Sequence, residues 1–363
     1  MLKMRVVQAH EGDCFFLIYG KPSEPRALLC DGGPKNTYEP FLRRTLETLD
    51  VRKLDAVILS HVDTDHAIGL LDFLADLRDR SAAGEKPLIA IDDVWMNSFD
   101  RTIDQNGRIE PRLADVASSL SAMSLASAET LAGVKEGNKL ALLAAQLDIP
   151  TNRVIDGAQF VAGENDQLDF HGLSIRVVGP TRANLKALLA DWEAWLEKQE
   201  ERLAERRLRL AAMADKSIPN LSSLQLLVEA HGKSMLLTGD GRGDHLLQAL
   251  EDANLLDEDG RIQVDLLKVP HHGSDRNVTR RFFEQIRARI YVVSANGKHG
   301  NPNLATLEWI VESCGNTKNP ITIVATNRTS TTDKLQRAFP PEESGYELVL
   351  RADDEDFIDI ELA

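Results

Sequence analysis

The chain has 363 residues, 43% hydrophobic and 27% charged, enough for one large domain or two modest ones around a sizeable core. Its 57 Asp and Glu against 42 Lys and Arg give a formal net charge of −15. That field repels phosphate and excludes broad non-specific adhesion to nucleic acid, though not a nucleic-acid substrate at a site where bound cations reverse the local sign. Three widely spaced cysteines (Cys14, Cys30 and Cys314) with no Cys-x-x-Cys pair argue against a disulfide framework or a thiolate zinc site. There is no signal-peptide pattern and no run of about 20 apolar residues, so a cytoplasmic protein with no membrane partner is expected.

In chain order, Arg5–Gln8, Cys14–Tyr19 and Ala27–Cys30 read as short strands separated by turns at Gly12-Asp13 and at 20–25. Asp31-Gly32-Gly33-Pro34 breaks the third strand. A helix over Phe41–Leu49 leads to a strand over Ala56–Leu59. Ile68, Leu70, Leu71, Phe73 and Leu74 then keep helical spacing and predict a helix over 67–79. A strand is expected over Leu88–Trp95, and two helices within 110–147, broken near Gly133–Asn138. Strands resume at Leu168–Phe170 and Leu173–Val178. Leu185, Leu188, Leu189, Trp192, Trp195 and Leu196 predict a long helix from about Arg182 to Met213, whose charged segment 197–208 faces solvent or a protein partner. The second half again alternates strands and helices. Ser223–Glu229 and Ser234–Leu237 form a hairpin, followed by helix Asp244–Leu250, strand Val264–Val269, helix Thr279–Ile286, strand Ile290–Ser294, helix Leu304–Ser313, and strands Ile321–Ala325, Tyr346–Leu350 and Phe357–Ile360. Strands with interleaved helices in both halves predict an α/β (α+β) architecture of two sheets packed face to face with helices outside. With no linker or low-complexity tract, residues 1–363 read as a single domain with helical insertions near 100–150 and 181–214.

The string His61-Val62-Asp63-Thr64-Asp65-His66 places two imidazoles and two carboxylates between a buried strand and a helix N-terminus. That donor mixture suits zinc, manganese or iron better than calcium or magnesium alone. Three later stretches also join a strand to a polar cluster: Asn220-Leu221-Ser222-Ser223, Thr238-Gly239-Asp240 and Lys268-Val269-Pro270-His271-His272-Gly273-Ser274. Each alone is ordinary turn chemistry. Their joint appearance, in order, predicts that they gather on one rim of a sheet.

These residues, together with Glu11-Gly12-Asp13-Cys14, Asp31-Gly32-Gly33 and the segment Ser294 to Pro302, resemble the metallo-β-lactamase fold superfamily, in the branch containing the nuclease-like domain of the DNA-uptake protein ComEC and its stand-alone soluble relatives. The resemblance runs from residue 11 to beyond 300. It implies a four-layer αββα sandwich with one or two divalent ions, zinc or manganese, at one edge. By that resemblance His61 and Asp63 serve a first metal, and Asp65 and His66 a second. Asp65 also orients the attacking water, and Asp240 bridges the two ions. His271 or His272 is the late histidine ligand, and Asp31 steadies a ligating histidine from behind. Lys268 and Ser274 are candidates to assist phosphate binding, as a point charge and a hydroxyl donor. Two departures bear on the first metal: Asn220 stands where many relatives have a further histidine, and His299-Gly300-Asn301-Pro302 replaces a Gly-His-Pro pattern, so that Asn301 or His299 takes that place. The implied activity is hydrolysis by a metal-activated water, with a phosphodiesterase or nuclease acting on nucleic acid or a nucleotide as the leading reading. Hydrolysis of a small ester, lactone or amide is the second, and a binding or assembly subunit with a degenerate metal site the third.

Overall fold

The computed structural model of the chain describes residues 1–97, 137–165, 167–190, 193–194, 222–315 and 318–362. Apolar segments with β-branched and aromatic residues pair into two sheets. The first runs β15 (Phe357–Glu361), β1 (Leu2–Val7), β2 (Phe15–Lys21), β3 (Glu24–Cys30), β4 (Lys53–Ile58) and β5 (Ala90–Ile91), with β6 (Val94–Trp95) also paired to β4. The second runs β14 (Tyr346–Leu350), β13 (Ile321–Ala325), β12 (Ile286–Val293), β11 (Ile262–Lys268), β10 (Lys233–Leu237), β9 (Gln225–Ala230), β8 (Leu173–Gly179) and β7 (Leu168–Phe170). The pairs from β10 to β14 are parallel, as are β3–β4 and β4–β6. The last strand pairs antiparallel with the first, Met4 opposite Ile360, so the end of the chain completes the first sheet.

Strand alternation sorts the core into layers. Met4, Val6, Phe15, Leu17, Leu28, Ala56 and Ile58 of the first sheet meet Ile175, Leu226, Val228, Met235, Leu237 and Leu266 of the second in one cluster between the sheets. On the outer face of the first sheet, Phe16, Leu29, Leu54 and Val57 pack against Leu70, Phe73, Leu74 and Leu77 of the helix Thr64–Ala82. On the outer face of the second, Leu267, Tyr291, Val293 and Ile323 pack against the helices Gly243–Asp252, Arg280–Gln285 and Leu304–Cys314. The layers are therefore helix, sheet, sheet, helix, the expected αββα order.

Several boundaries differ from those that periodicity predicts. The expected strand over 88–95 is two short strands, β5 and β6, each paired to a different stretch of β4. The helices Ser330–Ala338 and Pro341–Ser344 were not foreseen. The first is polar along most of its length and is opened by a capping box between Thr329 and Thr332, which propensity and periodicity underweight. Of the expected helical insertions, residues 137–146, 182–190 and 193–194 are helical, 147–150 and 181 are described outside any helix, and 100–136, 191–192 and 195–214, with Trp192, Trp195 and segment 197–208, lie outside the described residues, as does Asn220. No described helix is long and apolar enough to cross a membrane.

One close approach fixes the rim that matters. Gly69, in the second turn of the Thr64–Ala82 helix, sits so near Gly32 that a Cβ built on it would lie 1.8 Å from the Gly32 carbonyl oxygen. The Gly69 N–H donates to the Gly33 carbonyl at 3.0 Å and the Gly32 N–H to the His66 carbonyl at 2.8 Å. The helix start is thereby pinned to the loop that leaves β3.

Candidate metal centre

The C-terminal ends of β3, β4, β10, β11 and β12 converge, and the sequence places a polar cluster at each: Asp31, Ser60 to His66, Asp240, His271 with His272, and Ser294. Cross-ties hold these loops together. The Leu224 N–H donates to the Ser60 carbonyl at 2.8 Å and the His271 N–H to the Gly239 carbonyl at 3.1 Å. The Asp240 N–H donates to Ser223 Oγ at 3.2 Å, and Ser294 Oγ donates to the Gly12 carbonyl at 2.5 Å.

Asp240 is the hub, 2% exposed. His66 Nε2 lies 3.3 Å from its Oδ1, and His272 Nε2, His271 Nε2 and His61 Nε2 lie 3.4, 3.5 and 4.0 Å from its Oδ2. Asp65 Oδ2 is 3.3 Å from His272 Nε2 and 3.9 Å from His66 Nε2. Asp63 Oδ2 is 3.5 Å from His61 Nε2. Donor atoms of Asp65, His66, Asp240 and His272 all lie within 4.8 Å of one another.

The outer nitrogens of these rings decide what the inner ones can do. His66 Nδ1 is 2.9 Å from Asp31 Oδ2, a carboxylate acceptor, so Nδ1 carries the hydrogen and Nε2 is left as the donor atom for a metal. His272 Nδ1 is 3.0 Å from the Ser294 carbonyl, which imposes the same tautomer. Ser60 Oγ gives its single hydrogen to Asp31 at 2.7 Å and therefore accepts from His61 Nδ1 at 3.0 Å. Asn277 offers its amide nitrogen to the Asp240 carbonyl at 3.3 Å, since a carbonyl only accepts, which turns its Oδ1 to His271 Nδ1 at 2.7 Å. All four imidazoles thus aim Nε2 at one carboxylate. The Nε2 atoms of His61, His66 and His272, and Asp240 Oδ1, are buried and make no hydrogen bond. An unsatisfied buried polar atom costs about 1–3 kcal/mol, a penalty that a coordinated cation would remove.

The charge balance fits the same reading. Burial alone would push His66 and His272 down, yet Asp240 with Asp31 and Asp65 around the first, and Asp240 with Asp13 around the second, hold both well above the ordinary imidazole value. Burial likewise opposes ionisation of Asp240, but His272, His271 and His66 hold it well below the carboxylate range, and His66 and His272 do the same for Asp65. A pocket that stabilises imidazolium this strongly offers the same field to a divalent cation, which would displace the protons on binding.

Asp13 and Lys268 lie behind the cluster. Lys268 is expected from the sequence to assist phosphate binding, and the structure corrects this. It is 1% exposed, on the same side of β11 as Leu266, and its Nζ pairs with Asp13 and donates to the Gly239 carbonyl at 3.2 Å. Burial pushes Asp13 up, but Lys268, His272 and His66 outweigh it and hold its carboxyl at about 2. Asp13 Oδ1 is 3.6 Å from His272 Nδ1 and its Oδ2 3.9 Å from His66 Nδ1. Ser274, 5% exposed, caps the His271 turn with its N–H on the His271 carbonyl at 2.8 Å, and its Oγ accepts from the Arg276 N–H at 3.4 Å. His299 is exposed in the turn Lys298–Gly300, with left-handed backbone, and is not among the donor groups gathered with Asp240. The Asn301 side-chain amide donates to the His271 carbonyl at 3.5 Å. Asp13, Ser60 and Asn277 have places in the cluster that the residue pattern did not assign. Glu11-Gly12-Asp13 gave a signal, but Asn277 sits in a polar loop with nothing to mark it.

A family model of the metallo-beta-lactamase superfamily matches residues 12–117. Over 98 residues, 26% of the chain, the sequence is 31% identical to ComE operon protein 3 of Bacillus subtilis (strain 168), of whose length the match covers 12%. Among solved structures the chain is similar to the metallo-beta-lactamase fold protein YhfI from Bacillus subtilis, with 10% identity, 99% of each chain covered and a TM-score of 0.42. It is also similar to Zn(2+)-bound PqqB from Methylobacterium extorquens, with 12% identity, 99% of this chain and 100% of that one covered, and a TM-score of 0.41.

Proposed function

Because this chain is a metallo-β-lactamase-fold protein of the ComEC-like branch, we propose that it is a metal-dependent phosphodiesterase acting on nucleic acid or a nucleotide. The observation that carries this reading is the convergence of the His66 and His272 Nε2 atoms with the Asp65 and Asp240 carboxylates in one buried pocket. Those four residues would hold a divalent ion, with zinc or manganese favoured by the nitrogen and oxygen donors, and His61 and Asp63 offer donors on the other side of Asp240. Such an ion supplies Lewis acidity toward a phosphoryl oxygen and a water acidic enough to act at neutral pH. The protein's own residues do the rest. Asp31 and Ser60 fix the tautomers of His66 and His61, and the Ser294 carbonyl fixes that of His272. Asp65 remains 28% exposed at the mouth, where one carboxylate oxygen can orient an attacking water and accept its proton. Lys268, held against Asp13, fixes the floor rather than the substrate.

That burial of Lys268 also takes a cation away from the phosphate side, and it favours hydrolysis of a neutral ester, lactone or amide as the second reading. Metal-loaded protein incubated with bis-p-nitrophenyl phosphate, single- and double-stranded DNA, RNA and a chromogenic lactone separates the two. Phosphodiester hydrolysis that disappears in Asp65→Ala and Asp240→Ala is expected, and lactone turnover without any phosphodiester turnover would overturn the first reading.

A further inference from the structure

At the edge of the second sheet opposite the Asp240 cluster, the starting ends of the parallel strands β11, β12 and β13 border a pocket of about 580 Å³. That volume is within the range of small-molecule sites. The seven residues of β11 separate the two places by roughly 20 Å, at about 3.3 Å per residue. The pocket's charge runs against that of the chain. The sequence has 57 acidic residues against 42 basic ones, yet the described lining carries three cations, Arg287, Arg289 and Lys318, and no carboxylate. Arg287 and Arg289 are two positions apart on β12, which the strand period puts on the same side. Arg287 Nε is buried and makes no hydrogen bond. Arg289 has a loose ion pair, 3.6 Å to Asp265, a carboxylate outside the lining that also lies 4.0 Å from Lys233 and accepts the Ser234 N–H at 2.9 Å. Cys314, on the same wall, supplies no counter-charge. Burial pushes its thiol up although Tyr291 and Arg287 pull it down, and burial raises the Tyr291 hydroxyl as well.

We propose that this pocket is a second ligand site, separate from the candidate metal centre, which binds a phosphate dianion through Arg287, Arg289 and Lys318. Concentrated positive charge on an acidic protein, with a buried guanidinium nitrogen left unsatisfied, calls for an anion from outside. Phosphate fits better than carboxylate. Its three or four acceptor oxygens and near-double charge can meet cations arriving from two elements, β12 and the segment before β13, whereas a carboxylate offers two oxygens in one plane and a single charge. The planar arginine fork is the side chain best matched to such an oxygen pair. Pro320 and Ile321 form an apolar wall beside the cations, so the phosphate can be free or the terminal group of a monoester whose organic part lies against them. The inference does not depend on what the Asp240 cluster binds or hydrolyses.

The test is calorimetric titration of the full chain with inorganic phosphate, adenosine 5′-monophosphate and adenosine. Chelator keeps phosphate from binding through an ion at Asp240, and salt at about 0.15 M shortens the reach of the overall negative field to about 8 Å. Wild type is expected to bind phosphate and the monophosphate at one site per chain and not to bind adenosine. A tighter monophosphate assigns the site to a monoester, and equal or weaker binding of it assigns the site to the free anion. Arg287→Met is expected to weaken binding about tenfold or more, and Arg287→Lys, which keeps the charge but loses the fork, to weaken it less. Arg289→Met tests the second cation independently, with a thermal melt of each variant to confirm folding. Arg276→Met, at an exposed arginine on the Asp240 side of the sheet, is expected to change nothing. Absence of phosphate binding in wild type would overturn the proposal. So would binding that survives both Arg287→Met and Arg289→Met, or binding lost in Arg276→Met instead.

Discussion

The loop after β4 and the loop after β11 do the same job by opposite means. The first delivers His61, Asp63, Asp65 and His66 through regular backbone: a strand ends, Asp63 stands in extended geometry before the helix, and the spacing of a helical first turn does the rest. The second delivers His271 and His272 through backbone no strand or helix contains, two left-handed histidines and a glycine packed against Pro302. The supports differ in the same way. Histidines of the first loop are oriented by a side-chain network, Asp31 and Ser60. Those of the second are oriented by a backbone carbonyl, Ser294, and by an amide, Asn277. In such a candidate site one half depends on residue type and the other on backbone shape.

The hub shared by both loops is the most sensitive point. Asp240→Ala should reduce divalent-ion binding and phosphodiester hydrolysis to the level of chelator-treated protein, read by calorimetry and by turnover of bis-p-nitrophenyl phosphate. Retention of either would mean that the two loops do not meet at a common ion. Next comes the ion pair beneath them. Lys268→Met strands Asp13 in the interior and should cost about 3–5 kcal/mol of stability in urea unfolding, whereas Asp13→Asn combined with Lys268→Met should recover most of it. If Lys268→Met instead leaves stability alone and raises only KM, the lysine faces substrate and the corrected placement fails. The anchor of the first loop is tested by Gly69→Ala, whose Cβ would collide with the Gly32 carbonyl; overpacking of this kind costs about 1–3 kcal/mol, and metal affinity should fall with it. A control far from both loops should change least. Lys3 and Arg5 hold Asp359 below the ordinary carboxylate range although burial opposes it. Its folded pKa is depressed, so its contribution is complete above the unfolded carboxyl value and is lost as pH falls through the folded one. Asp359→Asn should therefore remove at most about 1 kcal/mol at neutral pH and nothing in strong acid, with metal binding untouched.

The contrast between the loops also explains what was legible in the sequence. That His61, Asp63, Asp65, His66 and Asp240 gather at one rim could be read because their positions follow from spacing within regular elements and from strand ends. The αββα layering was legible for the same reason, since periods of two and of about 3.6 write the buried faces directly. The orientations of His271 and His272 were not legible, because they depend on φ values that residue identity only permits. Lys268 was misplaced because the burial of its amine depends on Asp13, more than 250 residues away, coming beneath it. Asn277 and Ser60 were missed because an amide or hydroxyl that orients a ring has no pattern of its own. The closure of the first sheet by β15 was equally invisible, since a short alternating segment does not announce which edge it joins.

Imidazoles from both loops turn Nε2 toward Asp240, and the proposed reading assigns that convergence to a divalent cation held there. Crystals soaked in manganese or zinc and measured at the absorption edge would locate the ion. Anomalous density within about 2.0–2.3 Å of Asp240, Asp65, His66 and His272 is the predicted result. Density confined to surface carboxylates, with those four side chains left uncoordinated, would contradict it.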